Sequence, residues 1–296
     1  MKILNLIFAC FFLSRSVGAA ETASFLNVGA GGRALAMGGA YTALGSDASS
    51  IYWNPAGLAG VERHDLQASH AELGQSARHD FLAYAQSFPI GSFAGSATYL
   101  SRGALDGRDE LGHQTASFQA SDAAVSMGYA RKAEIADLGA DVKYVRSHIG
   151  SAEAQTAALD AGARKTLGAF SLGAAVRNIG RGMRFGAETN ELPLRLAFGA
   201  AYKLAEGHAL AAEVTNAPRG GGTNFGVGGE YQVVSNFFLR AGYTTLNAVA
   251  GGTGFEAAGG LTVGLGYGGP SWTLDYAAVP MGQLGSTHRF TLGAHW

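Results

Sequence analysis

Gly29-Ala30-Gly31-Gly32-Arg33-Ala34 fits the G-x-G-x-x-A spacing with which a strand-to-helix turn holds a dinucleotide pyrophosphate. That chemistry needs a strand before the glycines and a βαβ unit after them, so that backbone N–H groups and a helix N-terminus face the phosphates. Here an N-terminal leader precedes the glycines and hairpin-like sequence follows, so they read as packing points. The histidines (His64, His70, His79, His113, His148, His208, His288 and His295) never recur at H-x-x-x-H or a comparable ligand spacing, and no metal is expected. Gly91-Ser92-Phe93-Ala94-Gly95 places phenylalanine where a nucleophile elbow needs serine. Ser126 and His113 could meet only through the fold, and their spacing does not select them as a pair. The expectation is a protein that is not an enzyme and has no cofactor.

The remaining polar chemistry is a set of charges scattered along segments that alternate in polarity. They are Asp137, Asp141, Lys143, Asp160, Arg164, Arg177, Arg195, Lys203, Glu213, Glu230, Arg240, Asp275 and Arg289. Phe170, Leu172, Ala174 and Val176 share one face, opposite Ser171, Gly173, Ala175 and Arg177. Leu194, Leu196, Phe198, Ala200 and Tyr202 alternate in the same way with Arg195, Ala197, Gly199, Ala201 and Lys203. A period of two with one apolar face is a strand. The opposite face is mostly Gly, Ala and Ser, which suits a confined interior better than bulk water. Charges of both signs there can pair, which lowers the cost of partly burying them.

Composition points to the same setting. Charged residues make up 15% of the 296-residue chain, against roughly 25% in an ordinary soluble domain, and 45 residues are glycine. A net charge of −1 gives no basic surface for nucleic acid. Lys2 and the apolar run Ile3 to Leu13, followed by Val17-Gly18-Ala19-Ala20, read as a signal peptide over residues 1–20 that contains the sole cysteine, Cys10. Low charge, high glycine and no later long apolar run fit a transmembrane β-barrel.

About fourteen strands are predicted, near residues 61–71, 78–88, 92–102, 121–131, 134–147, 153–165, 168–178, 192–204, 207–216, 222–232, 235–245, 256–268, 271–278 and 285–296. Connections after even-numbered strands are tight, as in Phe88-Pro89-Ile90-Gly91 and Gly269-Pro270. Those after odd-numbered strands are mostly longer, 103–120 and 179–191 among them. Short turns at one end and longer loops at the other are the habit of bacterial outer-membrane barrels. Tyr99, Tyr129, Tyr202, Tyr231, Tyr243, Tyr267 and Tyr276 fall on the apolar face, where interfacial girdles lie.

Ahead of the strands, Ala34 to Ala43 is predicted as a short helix. Ser46-Asp47-Ala48-Ser49 offers N-cap chemistry for a second, which Asn54-Pro55 ends. Leu35, Met37, Tyr41, Ile51, Trp53 and Leu58 need burial. The expected arrangement is a hatch over residues 21–60 plugging a barrel over residues 61–296.

Gly32-Arg33-Ala34, Ala36-Met37-Gly38-Gly39-Ala40 and Ile51-Tyr52-Trp53-Asn54-Pro55-Ala56-Gly57-Leu58 resemble the N-terminal signature of PorV/PorQ-type outer-membrane proteins. These are relatives of the FadL long-chain fatty-acid transporter, whose hatch carries a similar Asn-Pro-Ala. Leu274-Asp275-Tyr276-Ala277 and Leu284-Gly285-Ser286-Thr287-His288-Arg289-Phe290 are similar to that group's C-terminal hairpin. The resemblance implies a fourteen-stranded barrel with an N-terminal hatch, and Asn54, Pro55 and Ala56 carry over as hatch positions. It also implies a component of type IX-like protein secretion that binds exported proteins at the cell surface. The alternatives are a FadL-like passive channel for hydrophobic small molecules such as long-chain fatty acids, and a purely structural closed barrel. Expected partners are outer-membrane lipid with either secreted proteins and secretion machinery or a hydrophobic small molecule.

Overall fold

The computed structural model describes residues 21–74, 76–109, 111–246, 259–280 and 285–296. Residues 1–20, where the signal peptide is expected, and parts of four connections lie outside the described residues.

Alternation closes into a cylinder. The strands are β1 (His64–Leu73), β2 (Ala77–Phe88), β3 (Gly91–Leu105), β4 (Phe118–Arg131), β5 (Asp137–Ile149), β6 (Ala152–Leu167) and β7 (Phe170–Gly180). A hairpin, β8 (Met183–Phe185) and β9 (Glu188–Asn190), interrupts the series. It resumes with β10 (Arg195–Ala205), β11 (His208–Ala217), β12 (Gly222–Val234), β13 (Phe237–Thr244), β14 (Leu261–Gly268), β15 (Trp272–Pro280) and β16 (Ser286–His295). All but the hairpin form one closed antiparallel barrel of fourteen strands, sealed by β1 pairing with β16 from Asp65–His295 to Glu72–His288. Closure leaves no edge in the barrel, a requirement for any sheet that meets hydrocarbon. Each barrel strand overlaps its predicted segment. The β8–β9 hairpin was not predicted, because three-residue polar strands carry no readable alternation.

Outward positions such as Leu82, Phe93, Met127, Val142, Leu239 and Leu292 are exposed large apolar side chains, and they encircle the barrel. Such a girdle has no counterpart on a soluble monomer. Among the described residues no helix is long and apolar enough to cross a membrane; the crossing elements are strands. Their 8 to 16 residues bracket the ~9–11 that a tilted strand needs to span a bilayer.

The segment before β1 runs through a 3-10 turn (Ser24–Asn27), α1 (Gly32–Ala36), α2 (Ser50–Trp53) and a second 3-10 turn (Pro55–Gly60). It packs on the inner walls of β4, β5 and β6 on one side and β13, β14 and β15 on the other. The helix expected over Ala34 to Ala43 stops at Ala36. Gly38 and Gly39 take φ values of 67° and 76°, which turn the chain out of a right-handed helix.

Candidate functional site

Asn54 anchors the hatch. Its extended backbone ends α2, and its side-chain oxygen accepts from the Ala56 N–H at 3.1 Å, capping the turn that Pro55 begins. Its amide nitrogen donates to Thr42 O at 2.7 Å and to Ala163 O on β6 at 3.2 Å. One side chain thus ties two hatch segments to the wall. Gly162 faces it so closely that a side chain at that position would strike the Asn54 amide. Pro55 and Ala56 press on Gly139, Met37 on Gly228 and Gly242, Ala36 on Gly264, and Ala43 on Gly199. The inward glycines are therefore the imprint of the hatch on the wall.

Above Asn54 the aromatic residues knit the hatch together. Trp53 Nε1 donates to Ala30 O at 2.9 Å, while the Tyr52 hydroxyl donates to Leu26 O at 2.8 Å and accepts from the Gly29 N–H at 2.9 Å. Tyr52 and Trp53 meet edge to face with ring centroids 5.0 Å apart. Gly29 and Gly31 are the turning points of this strap, with φ of 88° and 77°. Their match to a nucleotide fingerprint is a packing feature, since among the described residues no strand precedes them and no βαβ unit follows.

Arg33 carries the charged contact. Its guanidinium grips Glu230 through two hydrogen bonds of 2.8 and 2.7 Å. Glu230 also accepts from Arg240 Nε at 2.6 Å, and Arg240 Nη1 reaches Asp275 at 2.6 Å. Two cations and two carboxylates from the hatch, β12, β13 and β15 are mutually satisfied, as buried charges must be. Beside them Tyr41 donates to Asp47 at 2.5 Å. Burial first and the Asp47 carboxylate second push the Tyr41 phenol well above its usual range, so it stays a donor. Glu213 accepts the Tyr41 and Thr42 N–H groups at 3.0 and 2.9 Å, a second wall carboxylate holding hatch backbone.

Eleven of the thirteen charges anticipated from the sequence are buried in the barrel: Asp141, Lys143, Asp160, Arg164, Arg177, Arg195, Glu213, Glu230, Arg240, Asp275 and Arg289, while Asp137 is half-buried. Lys203 is not; it has inward parity but lies exposed at the turn end, where the vestibule opens and water solvates its ammonium. Lys143 pairs with Asp160 at 2.8 Å, Arg164 with Asp137 at 3.0 Å, and Arg195 with Glu21 at 2.7 Å. Asp141, 2% exposed, has neither oxygen hydrogen-bonded. Several partners were not anticipated, among them Glu21, Tyr41, Asp47, His79 and Asn178. The first three precede the alternating segments, and His79 sits in a strand whose parity is masked by mixed charges. Asn178 is read from a bulge: its φ of 62° lets its N–H meet Asp160 at 2.7 Å.

The hatch splits the lumen. Towards the turn end lies a polar vestibule of about 580 Å³ bordered by Arg33, Asp47, Asp65, Lys203, Glu230 and Asp275. Towards the loop end lies a chamber of about 110 Å³ bordered by Val28, Leu35, Tyr52, Trp53, Arg177, Arg195, Glu213 and Arg289. Among the described residues no cluster of three or more His, Cys, Asp or Glu could hold a metal ion. The geometry offers a packed partition and two unequal compartments.

Residues 14–167 match the family described as "Uncharacterised protein family (UPF0164)". No curated protein matches the sequence. Solved structures share the fold. The Pseudomonas putida toluene transporter TodX is 15% identical over 95% of this chain and 98% of its own, with a TM-score of 0.63. The Ralstonia pickettii toluene transporter TbuX is 14% identical over 90% of this chain and 98% of its own, with a TM-score of 0.64. A Pseudomonas aeruginosa FadL homologue is 13% identical over 95% of this chain and 99% of its own, with a TM-score of 0.55. The fold is that of the FadL-like outer-membrane barrels.

Proposed function

The chain belongs to the UPF0164 family, and we propose that it is an outer-membrane barrel working as a hatch-gated passive channel for hydrophobic small molecules. In this reading residues 1–20 are a removed signal peptide, 21–60 the hatch and 61–296 the barrel, with the loop end facing outward. One observation carries the proposal: the hatch turns Val28, Leu35, Tyr52 and Trp53 towards the loop-side chamber, an apolar surface buried inside a membrane barrel. Leu58 does not join that surface; it is buried in the core between hatch and wall.

Size determines how passage works. A chamber of 110 Å³ is smaller than the ~150 Å³ that accommodates benzene in an engineered protein cavity. An apolar solute therefore enters only when the hatch shifts. Such a solute finds rings and aliphatic carbon at the chamber, at a gain of ~25 cal/mol per Å² of apolar surface removed from water. Beyond the hatch it meets a vestibule where Leu44, Phe238 and Tyr267 stand among charged groups, and with no energy source coupled to the passage net flow follows the concentration gradient.

A role in protein export finds less support at the loop end. Segment 106–117 is polar, with Leu111 its one large apolar side chain. TodX and TbuX, which share the fold, are both described as toluene transporters. Uptake of an uncharged aromatic probe by cells producing the chain separates the readings. Uptake is expected to exceed that of cells lacking the chain and to rise further when residues 24–60 are deleted. Uptake unchanged by either step, with secreted β-domain proteins recovered on the loop end, would favour export.

A further inference from the structure

One sector of the barrel exterior departs from the apolar girdle. Outward side chains on β1 run His64, Leu66, Ala68, His70, Glu72, and on β2 Arg78, Asp80, Leu82, Tyr84, Gln86. From His64 to His70, and from Asp80 to Gln86, a strand tilted by ~40° climbs only roughly 15 Å. The apolar band of an outer-membrane barrel is ~25 Å tall, and on β12 the outward face stays free of charge from Phe225 to Val233. His64 stacks on Trp296 with ring centroids 5.0 Å apart, in the aromatic belt that marks the turn-end edge of the band. Counted from there, the band reaches past two polar rungs, His70–Asp80 and Glu72–Arg78. In the first, His70 Nδ1 and Asp80 Oδ1 lie 2.6 Å apart with both side chains half exposed. In the second, both side chains are exposed and opposite each other in register, yet they form no salt bridge among the described residues.

Charge on a lipid face destabilises a barrel more the deeper it lies. Lipid tails cannot answer these groups, and a headgroup of one sign answers only half of them. The surface that complements both rungs carries the same charges with the two strands exchanged, which a second copy supplies. A two-fold axis along the membrane normal, set between the rungs, lays β1 of one copy against β2 of the other. Glu72 then meets the partner's Arg78, His70 meets the partner's Asp80, and each contact occurs twice. Because the strands tilt, the two hairpins cross, and the match is confined to these rungs beside the axis. Next to them lies a furrow of about 470 Å³ on the outer wall, where Ala68 and Ala97 flank Leu82 in register. Small side chains there let two walls approach closely. We propose that the outward face of the β1–β2 hairpin is where two copies of this chain associate in the membrane, through reciprocal Glu72–Arg78 and His70–Asp80 contacts. The association uses only the barrel exterior and does not rest on the channel reading.

Sedimentation equilibrium of the full chain in a density-matched detergent tests this, and a monomer–dimer equilibrium is expected. Glu72→Arg and Arg78→Glu each set like charges against each other at two places and should weaken association at least about tenfold. Mixing the two variants restores opposite charges between copies while like charges persist within each chain. The mixture should therefore dimerise where neither variant alone does. Arg146→Glu, on β5 outside this sector, should leave the equilibrium unchanged. The heat-induced mobility shift reports whether each variant is folded. Should a reversal fail to fold, Glu72→Cys chains mixed with Arg78→Cys chains in one bilayer give the same test through a short bismaleimide. Cross-linking is then expected to be more efficient in the mixture than in either variant alone. A wild-type monomer at every concentration overturns the proposal and leaves lipid against the two rungs. So does a mixture that associates or cross-links no better than its separate components, or a dimer that neither reversal weakens.

Discussion

The two sides of the hatch handle charge in opposite ways. On the turn side, Arg33, Glu230, Arg240 and Asp275 form a closed set in which every charge has its partner, beside a roomy vestibule of about 580 Å³. On the loop side, around a chamber of about 110 Å³, Arg177 and Arg289 have no carboxylate within salt-bridge distance among the described residues, and Arg177 attracts Glu213 only at longer range. A satisfied network fixes one geometry, because breaking it strands a buried charge. The contrast assigns the turn side to holding the hatch.

The strongest way to break that contrast is at Glu230. Glu230→Ala leaves Arg33 and Arg240 without their shared carboxylate and is expected to cost ~3–5 kcal/mol, read as a lower temperature for the heat-induced mobility shift in detergent. Arg177→Gln, which breaks no salt bridge among the described residues and removes only a longer-range attraction to Glu213, should cost much less in the same assay. Equal losses would erase the distinction between the two sides. Next comes the wall. Gly242→Val drives a side chain into Met37 and Gly38 and should cost ~1–3 kcal/mol, with faster protease cleavage inside residues 24–60 as the second readout. Asn54→Ala removes the cap and the reach to Ala163 for about 1 kcal/mol. Smallest is Glu153→Ala on the barrel exterior, where Arg146 and Glu153 are both well exposed and water screens the pair, with no measurable shift in the same assay expected.

Much of this was legible in the sequence, for a physical reason. A strand in a barrel has one face in lipid and one in the lumen, so period-two alternation such as Leu194 to Lys203 survives along its length. Alternation also fixed which charges face inward, and burial follows that parity for Asp160, Arg164 and Arg289. Lys203 shows the limit: parity gives direction but not depth, and its place beside a turn leaves it in water. Partners were illegible because they come from elements without a period. Glu21 reaches Arg195 from the N-terminal strap, and Asn178 reaches Asp160 through a bulge that no alternation announces. The glycines on the inner wall were visible as composition, but which hatch atom each accommodates needed the fold.

That the hatch must move for an apolar solute to pass is tested most directly by locking it. A side chain at Gly199 would place its Cβ 3.4 Å from that of Ala43, close to the ~3.5–4.5 Å of a disulfide. The sole native cysteine, Cys10, lies in the segment read as the signal peptide. In the double variant Ala43→Cys/Gly199→Cys, uptake of an uncharged aromatic probe is measured with the pair oxidised and again after reduction. Loss of uptake in the cross-linked protein, restored by the reductant, is the predicted result. Equal uptake in the two states, with cross-linking verified as complete, would contradict the account.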